Sequence, residues 1–455
     1  MKIVIAGATG YIGSALIPKL LERFPDAEIT ALSRSAQERT QQRVTWKPCD
    51  LFSQASLQSA VPENVDLAFY LVHSMGPTAQ LDQGTFADYD LLLADNFARA
   101  MKKAQVKHVI YLGGLTPETD KLSLHLQSRY EVEETFADFG LPLTIFRAGL
   151  ILGQAGSSFQ ILLKLVMRIP LMICPHWTQT QTTPVDLHSV IEALSLAAMN
   201  QEDIGKTYDL AGCRPLTYIE MMRGTAEHLG KKRLFMPVPF FTPTLSRLWV
   251  SLITNTSKDL VYPLIESLEH PMVARPAHLY RKDWADRSYP ELLKEVSTET
   301  IPGRSFFSFK AMRKSVRSVQ RLPMPPDRNA AWVQEQYMSW LPGLWSPLIV
   351  VVSKSNQLTF SLLHPRFKLL KLERDLKMSD EDGQLFYIVG GWLAAKNNPG
   401  RLEFRVVLNH RFVLAAIHDF MPALPWFIYK YTQAQVHLIV MNRFARHLQR
   451  FMTRI

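Results

Sequence analysis

An apolar strand, Lys2–Ile5, runs into Gly7-Ala8-Thr9-Gly10-Tyr11-Ile12-Gly13, and that loop runs into a helical segment, Tyr11–Phe24. Ile12, Leu16, Leu20 and Leu21 fall on one face of the segment. Glycines in such a pattern are a weak signal alone and a strong one between a strand and a helix. They permit a tight turn and close backbone approach. The helix start then offers unpaired N–H groups and a positive dipole end, which suit a pyrophosphate. Gly7, Thr9, Gly10, Tyr11, Ile12 and Gly13 are therefore the first candidate cofactor residues.

The remainder of the first third keeps the same rhythm. Strands are expected at Glu28–Ser33, Val44–Lys47, Val65–Val72, His108–Leu112 and Leu143–Arg147, and helices at Tyr89–Gln105 and His125–Phe139. The nearly continuous apolar run Val65–Val72 is what a strand covered on both faces requires. Alternation of strands and helices predicts an α/β fold, a Rossmann-type doubly wound parallel sheet. Residues 148–300 are less regular, with helices expected at Leu187–Met199 and Tyr218–Leu229, and suit a small substrate lobe completing a domain over 1–300.

Residues 301–326 hold no acidic residue and six basic ones (Arg304, Lys310, Arg313, Lys314, Arg317 and Arg321), then end in a Pro-rich stretch. A domain boundary is placed there. Beyond it, six strands are expected at Leu348–Ser353, Gln357–Leu363, Phe367–Leu376, Leu385–Ala395, Arg401–Asn409 and Arg411–Asp419, followed by one long helix, Trp426–Met452. Leu402, Phe404, Val406 and Leu408 alternate as in a half-buried strand. Residues 301–455 thus read as a separate α+β unit, a curved sheet wrapped on a helix.

Two residues choose the cofactor. A carboxylate about 20 residues past the loop would bond the ribose hydroxyl of NAD. Ser33 and Arg34 stand there instead, and a guanidinium suits a 2′-phosphate, so NADP(H) is expected.

The charge is unevenly placed. Residues 301–455 carry 22 Lys and Arg against 9 Asp and Glu, whereas the first 300 carry 29 against 32. The final segment sets Phe420, Pro425, Trp426, Phe427, Tyr429, Tyr431, Leu438, Ile439 and Met441 beside Lys430, Arg443, Arg446 and Arg450. That mixture predicts either a solvated basic face or peripheral contact with an anionic membrane. Nucleic acid is not expected, because the basic residues form no reading motif. Neither is a metal: three scattered cysteines, Cys49, Cys174 and Cys213, make neither a zinc site nor a disulfide framework, and His410, His418 and His437 lack ligand spacing. The cysteines point to a reducing compartment and, with no signal-peptide pattern before Lys2, to a cytoplasmic protein.

The Gly-x-x-Gly-x-x-Gly spacing resembles extended and atypical short-chain dehydrogenases/reductases. Asp50-Leu51 matches the pair that contacts adenine in that superfamily. Leu71, Val72, His73 and Met75 match the loop covering the cofactor after the fourth strand, and Phe146-Arg147-Ala148-Gly149 resembles its Arg-Pro-Gly stretch. Pro184–Leu187 and Gly205–Gly212 resemble substrate-lobe segments. A closer likeness is to the bacterial YbjT-like NAD(P)-binding proteins, through Tyr70–Met75, Tyr111–Leu115 and His125–Arg129. These carry a C-terminal DUF2867 domain, which Val316–Pro323 and Arg411–Tyr431 resemble. The likeness implies a START/Bet v 1 helix-grip unit with the order strand, two helices, six strands, long helix, a unit that often encloses an apolar ligand.

Reductases of the superfamily use Tyr-x-x-x-Lys on the helix after the fifth strand. This chain has His125-Leu-Gln-Ser-Arg129 at the matching place, and Gly113 or Gly114 where a serine is usual. Imidazole titrates near pH 6.5 and can act as acid or base. Arg129 can hold ribose or phosphate but will not shuttle protons. His125 and Arg129 are the catalytic candidates, Gly113 and His73 lie on the cofactor side, and Met75 and Arg147 are expected to meet substrate, Arg147 as an anchor for an anionic group. Two readings stay open. One is an NADP(H)-dependent oxidoreductase acting on an apolar carbonyl or quinone-like molecule. The other is a non-catalytic, NmrA-like sensor of NADP(H).

Overall fold

In a computed structural model the chain divides into two compact units, residues 1–76 with 96–308 and residues 77–95 with 309–455. The structure describes residues 1–37, 41–73, 79, 81–117, 119, 122–238, 250–251, 253–254, 258–298, 315–344, 349–354, 356–396 and 400–452.

The first unit begins with β1 (Lys2–Ala6), α1 (Tyr11–Arg23), β2 (Glu28–Ser33), β3 (Val44–Pro48), α2 (Gln54–Ala60) and β4 (Leu67–Tyr70). The chain then passes through β5 (Leu81–Gln83) and the start of α3 (Phe86–Lys103), which belong to the second unit. It returns to form β6 (Val109–Gly114), α4 (Leu124–Asp138) and β7 (Leu143–Ala148). The lobe adds α5 (Ser157–Arg168), α6 (Leu187–Ala197), β8 (Thr207–Leu210), α7 (Tyr218–His228), α8 (Lys258–Ser267) and α9 (Tyr289–Thr298). Seven strands form one parallel sheet in the order β8-β7-β6-β4-β1-β2-β3. Ile3, Val4 and Ile5 of β1 are fully buried, as both faces of a parallel sheet must be when helices cover them. The lobe has its own core, including Phe159, Leu162, Trp177, Met221 and Leu292.

The doubly wound sheet and the two lobe helices are as expected from the sequence, with boundaries shifted by a few residues. The interruption at 77–95 is not: the sequence placed one boundary near residue 300, whereas the chain also crosses between units near residues 76 and 95.

The second unit is a mixed eight-stranded sheet. Its strands are β9 (Val316–Pro323), β10 (Ile349–Lys354), β11 (Gln357–Leu362), β12 (Lys368–Arg374), β13 (Gly383–Gly390), β14 (Arg401–Val407) and β15 (Phe412–Phe420). They run β10-β11-β12-β13-β14-β15-β9-β5, antiparallel throughout except for β5, which pairs parallel with β9. One face of the sheet is covered by α10 (Ala330–Trp340) and α12 (Gln433–Gln449), where Tyr337, Phe404 and Phe444 meet at the centre of the core.

The second unit departs from the expected pattern in two helical segments. The single terminal helix is two, α11 (Trp426–Tyr431) and α12, broken at Thr432, whose φ of −121° and ψ of −89° cannot continue a helix. Between β9 and β10 the described residues hold one α-helix and a short 3-10 turn, Leu341–Gly343, rather than two helices; Pro342 has no N–H to donate back to α10 and so ends its regular bonding.

The sheet interior sets an acid limit on stability. His108 is buried and its Nε2 lies 2.8 Å from Thr144 Oγ1, which itself donates to the Asp203 carbonyl at 2.7 Å. The imidazole nitrogen must therefore donate, and burial pushes this histidine down to about 4. Between the ordinary value near 6.5 and about 4, the unfolded chain binds the proton and the folded one resists it. The stabilisation is complete above pH 6.5 and declines as pH falls toward 4, by about 3 kcal/mol for this one ring. Denaturant titrations of wild type and His108→Gln across that range should show the steeper loss in wild type; equal slopes would contradict the assignment.

Candidate dinucleotide and proton-transfer site

The glycine loop is shaped by two close approaches. Gly7 has φ +86°, and a Cβ there would lie 2.6 Å from the Leu71 carbonyl oxygen. A Cβ on Gly13 would lie 2.4 Å from the Gly7 carbonyl oxygen. The turn is closed by Gly10 N donating to Gly7 O at 2.8 Å. Gly10 is the extended N-cap of α1, with no side-chain cap. The result is a backbone cradle at a helix start, fitting a pyrophosphate. Strand order reverses between β1 and β4, so the loop and Leu71 flank the switch point, the usual ligand crevice of an open parallel sheet. Thr9, Tyr11, Ile12, Leu71 and Val72 are all half-buried around it.

At the end of β2 the two expected phosphate ligands differ. Ser33 is buried and its hydroxyl donates to the Ser35 carbonyl, so it is already committed within its own turn. Arg34 is exposed and, among the described residues, forms no ion pair. Asp50 and Leu51 follow β3, where Asp50 Oδ1 accepts from Phe52 N at 3.2 Å and the Leu51 carbonyl accepts from Asn96 Nδ2 at 3.0 Å.

The proton-handling groups gather at the start of α4. Ser123 caps this helix, its Oγ accepting from Leu126 N. His125 follows two residues later. Its Nε2 lies 3.2 Å from His73 Nε2, and its Nδ1 lies 3.1 Å from Ser267 Oγ, which is in turn 3.2 Å from Ser123 Oγ. A hydrogen bond between two imidazole nitrogens requires one to carry the proton and the other to accept it. His73 and His125 are thus placed to share one proton across a single contact, with Ser267 beside the other nitrogen of the His125 ring. Arg129, one turn after His125, is buried, and the Tyr111 hydroxyl donates to its carbonyl at 3.4 Å. Gly113 sits at the end of β6, half-buried. Met75 lies outside the described residues.

Arg147, expected to anchor an anionic substrate, has another role. Its Nε and Nη2 bind Glu133 Oε1 and Oε2 at 2.9 and 2.5 Å, a bidentate pair. Burial raises the Glu133 carboxyl while Arg147 opposes that rise. Beside them Arg275 makes a second bidentate pair with buried Asp209, at 2.8 and 2.9 Å. The guanidinium fork of Arg147 is taken up inside the fold. Ser123, Ser267 and Glu133 were not singled out from the sequence. Ser123 had a local signal, a serine just before a helix. Ser267 had none, because it reaches His125 from 142 residues away.

Comparison with known proteins agrees with this geometry. Residues 7–162 match the family described as NAD(P)H-binding. Over 158 residues, the chain is 32% identical to auxiliary protein GraX of Staphylococcus aureus, covering 33% of this chain and 46% of GraX. It is 29% identical over 150 residues to quinone oxidoreductase 2 of Escherichia coli, covering 32% of this chain and 48% of that protein. The match therefore spans about half the length of these relatives. Among solved structures, the NADPH complex of the Escherichia coli quinone oxidoreductase superposes with a TM-score of 0.51 at 19% identity, covering 66% of this chain and all of that one. The NADP(H) complex of Citrobacter sp. triphenylmethane reductase gives 0.52 at 19%, covering 65% and 99%. The first unit carries an NAD(P)H-binding domain and shares the fold of these solved structures.

Proposed function

We propose that the chain is an NADP(H)-dependent oxidoreductase that reduces an apolar carbonyl or quinone-like substrate, with His125 as the proton donor. The observation that carries this reading is the His73–His125–Ser267 contact chain at the carboxyl edge of the sheet. NADPH, when bound, supplies a hydride. The substrate oxygen then needs a proton, and the histidine pair holds one at a nitrogen. Ser267 keeps the ring of His125 in one orientation, and His73 can return a proton to it. Gly7, Gly10 and Gly13 hold the pyrophosphate and Arg34 the 2′-phosphate. The second unit is read as a DUF2867-type domain through its likeness over Val316–Pro323 and Arg411–Tyr431.

A second reading, a non-catalytic NADP(H) sensor, is favoured by Arg129: a buried guanidinium stands where related reductases place a proton-shuttling lysine. NADPH consumption measured against a panel of quinones and apolar aldehydes separates the two. The oxidoreductase turns over at least one class. Nucleotide binding with no turnover supports the sensor. For the cofactor, Arg34→Ala should raise the Kd for NADPH by about tenfold or more, the worth of one or two charge-assisted hydrogen bonds, and leave that for NADH unchanged. Equal losses for both nucleotides would refute the role of Arg34.

A further inference from the structure

The end of the second unit carries a surface that nucleotide chemistry does not use. From Phe420 to Ile455 the sequence holds no Asp or Glu, yet it contains Lys430, Arg443, Arg446, Arg450 and Arg454. Val436, Ile439, Arg443 and Arg446 of α12 and Arg450 at its C-cap are all exposed, and their three- and four-residue spacing sets them along one face. The opposite face, with Met441, Phe444 and Leu448, is buried in the core. Val436 and Ile439 are 42% and 45% exposed, and in α11, just before, Phe427 and Tyr431 are 70% and 71% exposed. Among the described residues Arg443, Arg446 and Arg450 form no ion pair.

An exposed apolar end followed by an uncompensated cationic stripe has the charge and polarity profile of an interfacial helix. Apolar side chains leave water for the acyl boundary, while guanidinium groups meet lipid phosphates. A nucleic-acid surface would need the cations and gain little from Val436 and Ile439. We propose that this face of α12, with Phe427 and Tyr431 of α11, docks the protein on an anionic lipid bilayer.

The test is co-sedimentation of the full chain with phosphatidylcholine vesicles that contain or lack phosphatidylglycerol. Binding is expected to the anionic vesicles and to weaken as salt rises. Replacing Arg443, Arg446 and Arg450 together by Gln should weaken it about 100-fold, since each basic residue near such a surface contributes about 1 kcal/mol. Val436→Ser with Ile439→Ser should weaken the binding that persists at high salt. All five positions are exposed, so unchanged thermal melting serves as the folding control. No binding to anionic vesicles, equal binding to both vesicle types, binding indifferent to both sets of replacements, or displacement from the vesicles by a short RNA would each overturn the proposal.

Discussion

Replacing His125 by alanine is expected to lower kcat by about 10²–10⁴-fold, the range typical of removing a positioned general acid, while the Kd for NADPH changes little. The separation follows from the structure. The phosphate cradle is built from the β1–α1 turn and Leu71, and none of its backbone contacts depends on the His125 side chain. The ring instead touches His73 and Ser267. His73→Ala should cost less, because it removes a partner of the donor rather than the donor. Stopped-flow NADPH oxidation together with equilibrium nucleotide titration measures both quantities. Parallel loss of binding and turnover in His125→Ala would show that the residue supports the fold or the cofactor rather than proton transfer.

The largest effect on stability is expected at Glu133. Removing one partner of a buried pair leaves the other charge without compensation and costs about 3–5 kcal/mol. Arg147 is 12% exposed and Glu133 5%, so water cannot replace the lost carboxylate. Glu133→Ala should therefore be strongly destabilised in denaturant titration. Replacing both members, with Glu133→Leu and Arg147→Met, should restore much of that loss, because an apolar pair carries no desolvation cost. A Glu133→Ala loss under about 1 kcal/mol would mean that Asp209 or solvent compensates Arg147, and the guanidinium would then again be open to an anionic substrate.

How far these features could be read from the sequence depended on distance along the chain. The glycine loop was legible because strand, turn and helix are contiguous and each glycine has a local geometric reason. The sheet strands were legible because burial on both faces demands runs such as Leu67–Tyr70. His125 and His73 could be named singly, yet their contact could not, since a separation of 52 residues leaves no periodic trace. The same holds for Ser267. β5 was missed because three residues carry no recognisable alternation and its partner, β9, lies more than two hundred residues away. The Arg147–Glu133 pair is hidden from the sequence for a related reason: the carboxylate sits on the preceding helix, 14 residues back, where no helical or strand spacing pairs them. The break at Thr432 follows an aromatic-rich, uncharged-to-basic run that reads as continuous helix until its backbone angles are seen.

Under the proposed function a bound nicotinamide is used, with protein side chains completing the reduction. The most direct measurement is a single-turnover reaction of the wild-type chain with NADPH deuterated at the transferable position and a quinone or apolar aldehyde. Deuterium is expected to leave the nucleotide stoichiometrically, reaching the reduced aldehyde carbon or the reduced quinone before exchange, and His125→Ala to slow this transfer at unchanged nucleotide occupancy. Saturated binding with all deuterium retained on the nucleotide across the panel would contradict it.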